Sequence, residues 1–166
     1  MNPPRVGNIP GELKERRQWV AWKGVPKENG KLDKIPINPK TGHEAKPNHP
    51  DTWASIQEAL IATETYGLDG IGFVFSESDP YTGIDLDSCL NPDTGELEPW
   101  ARRYVDLFQS YTEVTPSRKG LHIIIKGKLP GKGRKKGNFE VYDKGRFFTF
   151  TGRVFDGNGS DNIPTG

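Results

Sequence analysis

The chain has 166 residues and a mass of 18.5 kDa, enough for one domain with its own core and too few for a multidomain machine. Only 33% of residues are hydrophobic, but eight Phe, five Tyr and four Trp supply large apolar rings, which excludes disorder throughout. The 20 Gly and 14 Pro argue against a helical bundle.

The single cysteine, Cys89, excludes an intrachain disulfide framework and a CxxC metal or redox motif, and fits a reducing compartment. No stretch approaches the ~18 apolar residues of a membrane span, and MNPPRVGNIP lacks the pattern of a signal peptide, so the chain reads as soluble and cytoplasmic.

Along the chain, GELKERRQ predicts a short helix after Pro10, and WVAWK (19–23) a strand. The turn-rich GVPKENGKLDKIPINPKTG holds a short strand at 35–37. Asp51 is expected to cap a helix over 52–66, where Trp53, Ile56, Ala59, Leu60 and Thr63 recur at helical spacing and Gly67 supplies a stop. GIGFVFS and IDLDSC read as strands joined by SDPYTG. A second helix is expected from Pro99, with Trp100, Tyr104, Leu107 and Phe108 as its buried stripe. TEVT, LHIIIK, FEVYD and RFFTFTG complete the strands. DGNGSDNIPTG is polar and Gly-rich, like the start of a linker.

The net charge of +1 conceals segregation. Residues 51–100 carry 11 acids and no Lys or Arg, whereas residues 117–146 carry 10 Lys and Arg against Glu140 and Asp143. Such blocks are solvated faces or an acidic cation site beside a surface for phosphates. In GIDLD the strand period sends Ile84 and Leu86 to one face and Asp85 and Asp87 to the other. Carboxylates so close repel, and a hard divalent cation relieves that.

LHIIIK places Leu121, Ile123 and Ile125 on one face and His122, Ile124 and Lys126 on the other; FEVYD opposes Glu140 and Tyr142 to Phe139 and Val141. If these strands are neighbours, Asp85, Asp87, Glu140 and His122 converge on the face away from the core. SRKG supplies a hydroxyl (Ser117), turn amides and Lys119 for phosphate oxygens. Three carboxylates beside a phosphate-binding turn suit two-metal phosphoryl transfer, with nuclease, glycosyltransferase and polymerase chemistry all open. The loop with Lys126, Lys128, Lys132, Arg134, Lys135 and Lys136 suits a nucleic-acid backbone better than a sugar donor. RFFTFTG also has the alternating aromatics of an RNA-recognition strand, so a non-catalytic single-strand binding module is the alternative. Phe148 and Phe150 read better as core.

At these residues the sequence resembles the catalytic domain of phage- and plasmid-encoded primase-polymerases, in the archaeo-eukaryotic primase superfamily. QWVAW, KIPINPKTGHEA, DPYTGIDLD, WARRYVDLFQSYTEVTPS, GLH, GKLPG and FEVYDKGRFFTFTG carry the resemblance over nearly the whole chain. It implies an α+β fold with an RRM-like catalytic sheet and a smaller N-terminal αβ element, two lobes around a cleft, over residues 1–155. Residues 156–166 would begin a linker to an absent downstream helical bundle or helicase region.

The resemblance also implies two Mg²⁺ or Mn²⁺ ions on Asp85, Asp87 and Glu140, and an incoming nucleoside triphosphate on Ser117, Lys119, His122 and Arg146. The partners implied are single-stranded DNA template and primer, and the activity is template-directed nucleotidyl transfer. The family commonly has Gly after the Ser. This chain has Arg118, which bears on the conformation of the turn.

Overall fold

Alternation in GIGFVF gives one face to Ile71, Phe73 and Phe75 and leaves glycines at 70 and 72 on the other, so the strand can bury a dense row of rings. The computed structural model describes residues 2–156 and 163–165. In chain order it contains helix α1 (Gly11–Lys14), strands β1 (Trp19–Pro26) and β2 (Leu32–Ile37), helix α2 (Ile56–Thr65), and strands β3 (Gly70–Phe75) and β4 (Tyr81–Leu86). Helix α3 (Pro99–Phe108) follows, then strands β5 (Thr112–Val114), β6 (Leu121–Lys126), β7 (Arg134–Lys136), β8 (Phe139–Tyr142) and β9 (Arg146–Phe150). The fold is α+β. Its strands pair antiparallel in two sheets, ordered β2-β1-β3-β9 and β5-β6-β4-β8-β7.

The sheets share a core. Trp19, Phe73, Phe75, Phe148 and Phe150 of the four-stranded sheet meet Tyr81 and Ile124 of the five-stranded one. The rings pack edge to face, Trp19 lying 5.2 Å from Phe150 and Phe75 lying 5.0 Å from Phe148, each pair adding about 1 kcal/mol beyond its buried area. A second core packs Ile84, Leu86, Leu121 and Ile123 against Ala101 and Val105 of α3. The five-stranded sheet is therefore covered on both sides. This corrects the reading of LHIIIK: Ile124, expected on the face away from the core, is fully buried between the sheets. The polar groups sit where that second covering stops.

Several elements differ from the sequence expectation. Helix α2 begins four residues late, because Trp19 and Ala54 exchange both backbone hydrogen bonds and hold the chain extended. Its cap is Ser55, not Asp51: Ser55 Oγ accepts from the Glu58 N–H and Glu58 Oε1 from the Ser55 N–H, both at 3.1 Å. Helix α3 buries Ala101 and Val105, with Trp100, Tyr104 and Phe108 flanking, and leaves Leu107 70% exposed. Its buried stripe thus lies one position away from the expected one. Residues 134–136 of the basic loop form an edge strand. Part of the segment read as a linker, residues 157–162 and 166, lies outside the described residues, while Ile163 is buried in the first core.

Gly83 controls how closely the sheets approach beside Asp85. A Cβ there would sit 2.6 Å from both Phe148 Cε2 and Phe75 Cζ. Gly83→Ala is expected to cost roughly 1–3 kcal/mol by overpacking. A urea midpoint equal to wild type would show that the rings can yield.

Candidate active site

The register of β4 places Asp85 directly opposite His122 of β6 on one side and Glu140 of β8 on the other. Farther out, Glu113 of β5 opposes His122, and Lys135 of β7 opposes Glu140. Directly paired residues share a sheet face. Each of the five strands therefore contributes one side chain to a row: Glu113, His122, Asp85, Glu140, Lys135.

His122 sits at the centre of this electrostatics. Its Nε2 lies 3.5 Å from Asp85 Oδ1, its Nδ1 lies 3.1 Å from the Thr149 carbonyl, and its ring stacks on Phe148 at 4.5 Å. Burial disfavours the imidazolium, but Asp85, Glu113 and the Thr149 carbonyl outweigh it and hold the pKa above its usual value. Glu113 is fully buried. It accepts from the Tyr111 hydroxyl at 2.6 Å, the Thr151 N–H at 2.7 Å and the Gly152 N–H at 3.0 Å. Burial pushes its carboxyl up against those donors.

Glu140 accepts from the Tyr142 hydroxyl at 2.8 Å and lies 3.9 Å from Lys135 Nζ. Partial burial raises the Tyr142 pKa with help from Glu140, while Arg146, over the ring at 4.3 Å, opposes the rise.

Asp85, His122, Glu140 and Tyr142 line a cleft of about 180 Å³ whose other side carries Lys34, Arg146 and Phe148. A larger cavity of about 440 Å³ shares Lys34, Arg146 and Phe147 with it and continues past Lys46. The narrow cleft thus carries Asp85 and Glu140 from the five-stranded sheet and Lys34 and Arg146 from the facing strands.

Not every expected residue lines this cleft. Asp87 falls just past the end of β4, half-buried, and its Oδ1 accepts from the Ser88 N–H at 2.8 Å. Ser117 and Lys119 are exposed in the turn between β5 and β6; Ser117 Oγ lies 3.2 Å from both Thr115 Oγ1 and the Lys119 N–H. The turn borders Asp87, since a Cβ on Gly120 would lie 3.5 Å from the Asp87 Cα. Arg118 takes the left-handed conformation (φ 65°) that glycine adopts more easily.

The expected nucleic-acid cations divide. Lys126 pairs with Glu12 at 3.1 Å, and Lys128 Nζ donates to the Asp143 carbonyl at 2.6 Å and the Ser76 carbonyl at 2.9 Å, so both are engaged within the fold. Lys132, Arg134, Lys135 and Lys136 are exposed. The alternating rings of RFFTFTG are occupied: Phe148 and Phe150 are 6% and 3% exposed. Sequence reasoning did not single out Lys34 or Glu113; Glu113 had a visible signal, an acid on the predicted strand TEVT.

The chain matches a domain of a phage-type primase-polymerase. It is similar to the DNA primase-polymerase of Nitratiruptor phage NrS-1, with 42% identity over 151 residues that cover 87% of this chain. The match covers 20% of the relative, so the chain spans about a fifth of that protein's length. No protein-family model matches.

Proposed function

We propose that this domain performs template-directed nucleotidyl transfer, adding a nucleotide to a primer 3′ hydroxyl on single-stranded DNA and releasing pyrophosphate. The observation that carries the reading is the row of His122, Asp85 and Glu140 on three adjacent strands, in a cleft whose facing wall bears Lys34 and Arg146. The name of the phage relative supports it. The five-stranded sheet supports an RRM-like reading: β4, helix α3, β5 and β6 are followed by β8 returning beside β4. The four-stranded sheet would then be the smaller element across the cleft.

Asp85, Asp87 and Glu140 offer the hard oxygen donors that Mg²⁺ or Mn²⁺ prefers. Among the described residues no three His, Cys, Asp or Glu side chains form a ready cage for an ion. Mg²⁺ takes one or two carboxylates and completes its shell with water and substrate phosphates, so Asp85 and Glu140 would hold it together with a bound nucleotide. When bound, two such ions would activate the attacking oxygen and offset charge on the departing pyrophosphate. Arg146, His122, Ser117 and Lys119 then serve as phosphate donors, with Lys34 a further cation on the same wall. The exposed Lys132, Arg134, Lys135 and Lys136 run along the edge strand as a track for the DNA backbone.

His122→Ala is expected to weaken apparent nucleotide affinity about tenfold or more, the scale of one charge-assisted hydrogen bond, and to lower the maximal rate less. Steady-state titration reads the split; unchanged affinity with a lower rate alone would reassign His122 to proton transfer. The test of the whole reading is extension of a labelled primer on single-stranded template, with each nucleotide type and each metal. No incorporation under any combination would refute it.

A further inference from the structure

Arg5, Arg118 and Arg153 come from distant parts of the sequence, and none of them lines the cleft described above. They line one cavity of about 210 Å³ with the loop from Leu90 to Gly95 and with Val114. Val114 alternates with Glu113 and packs on the core under α3, so this cavity lies on the opposite face of the five-stranded sheet from the acidic row. It shares no residue with the cleft.

Three observations mark it as a site for an anion. Among the described residues, none of the three guanidiniums lies within ion-pair distance of a carboxylate. With its amide turned so that the oxygen faces them, Asn2, which lines an adjoining pocket that shares Arg153, accepts from Arg118 Nη2 at 3.1 Å and from Arg153 Nη2 at 3.2 Å, so the two guanidiniums converge on one oxygen acceptor at the edge of the cavity. Arg118 reaches the cavity from a left-handed backbone, a strain that persists where something compensates it. Partial burial and the nearness of Arg118 and Arg5 also hold the Arg153 guanidinium below its usual pKa, so a bound negative charge would relieve repulsion already present.

We infer that Arg5, Arg118 and Arg153 form a phosphate-binding subsite for single-stranded nucleic acid, separate from the nucleotide cleft. The Cys89 and Leu90 N–H groups donate to the Lys119 carbonyl, at 2.9 and 3.0 Å, and so join the cavity wall to the turn that borders Asp87. A strand leaving the Asp87 end of the site crosses this turn to reach the arginines. The floor of Leu90 and Val114 accepts a sugar or base edge beside the phosphate. A triphosphate lying over Asp85 is on the other face of the sheet.

This inference rests on the nucleic-acid reading above, and one experiment separates the two. Binding of a fluorescent oligo(dT) to the whole chain is followed by anisotropy across a salt series, for wild type and for Arg5→Gln/Arg118→Gly/Arg153→Gln. Binding of a nucleoside triphosphate with Mg²⁺ is followed by calorimetry. The triple variant is expected to lower the log–log salt slope by roughly 2, at roughly 0.7 per lost phosphate contact, and the Arg5→Gln/Arg153→Gln pair, which leaves the Ser117–Lys119 turn untouched, by roughly 1.4 with nucleotide affinity unchanged. Inorganic phosphate should raise the melting temperature of wild type and not of the variant. An unchanged slope, or a loss confined to the nucleotide, overturns the subsite. Failure of wild type to bind the oligonucleotide at all overturns the nucleic-acid reading itself. Should the triple variant not fold, Arg118→Gly alone decides: a slope lower by roughly 0.7 with a raised melting temperature supports the subsite, and an unchanged slope refutes it.

Discussion

Asp85→Asn is expected to lower nucleotide incorporation by roughly a thousandfold or more, about 4 kcal/mol of barrier, while the chain stays folded. Asp87→Asn and Glu140→Gln should do the same. Each swap keeps size and hydrogen-bonding capacity and removes the charge that would hold a cation. Asp85 has a second effect that the other two lack, because it is the leading support of the raised His122 pKa after burial is set against it. In metal-free buffer, an NMR titration of the imidazole should therefore move down in Asp85→Asn.

The sign for stability follows. A histidine whose folded pKa is raised contributes stability that is fully present below about 6.5 and is lost as pH rises through the folded value. Asp85→Asn should flatten that loss. Removing the Asp85 charge relieves its repulsion with Asp87, but loss of the His122 contact adds a stability cost on the acid side. Wild-type incorporation by all three variants would sink the polymerase reading.

Glu113→Ala should be the most destabilising single change at the site, at about 3–5 kcal/mol. Removing this carboxylate leaves the Tyr111 hydroxyl and the Thr151 and Gly152 N–H groups without their buried acceptor. It also removes the side-chain ties between β5 and the chain that follows β9, leaving only the backbone bonds of Val114 with Arg153 and of Phe155 with Thr112 and the Thr151 hydroxyl bond to the Val114 carbonyl. Glu113→Gln, which keeps one oxygen but turns an NH₂ toward donors, is expected to fall between. Urea unfolding orders the three proteins; an alanine variant as stable as wild type would show that water replaces the carboxylate without penalty.

The parts of this site that could be read in the sequence are those governed by a period of two. Asp85, His122 and Glu140 each alternate with apolar neighbours, and that alternation put them on one face of their strands before any pairing was known. Which strands are neighbours is a matter of long-range register, Asp85 with Glu140 and with His122, and no local pattern encodes it. Asp87 shows the limit of the rule, since the strand stops at Leu86 and the next residue's place depends on the turn.

Charge alone also does not tell engaged cations from free ones. Lys126 and Lys128 look like Lys132 and Lys136 in sequence, yet the first pair is tied to Glu12, Asp79 and backbone carbonyls. The start of α2 was legible in Ser55 and Glu58, but the apolar spacing of Trp53 drew the boundary too early. Both faces of β6 proved covered because a sheet from elsewhere in the chain lies over it.

Strand β9 pairs with β3 across seventy residues of intervening chain, among which lies all of the five-stranded sheet. During synthesis on the ribosome, β1, β2 and β3 emerge long before it and wait with the β3 edge open. Phe148 and Phe150 close the shared core, while Arg146 and the backbone carbonyl of Thr149 complete the wall around His122. A nascent chain therefore gains its core and its cleft in the same late step. Partial products should be targets for chaperones and proteases, and should be unable to hold a nucleotide in that cleft.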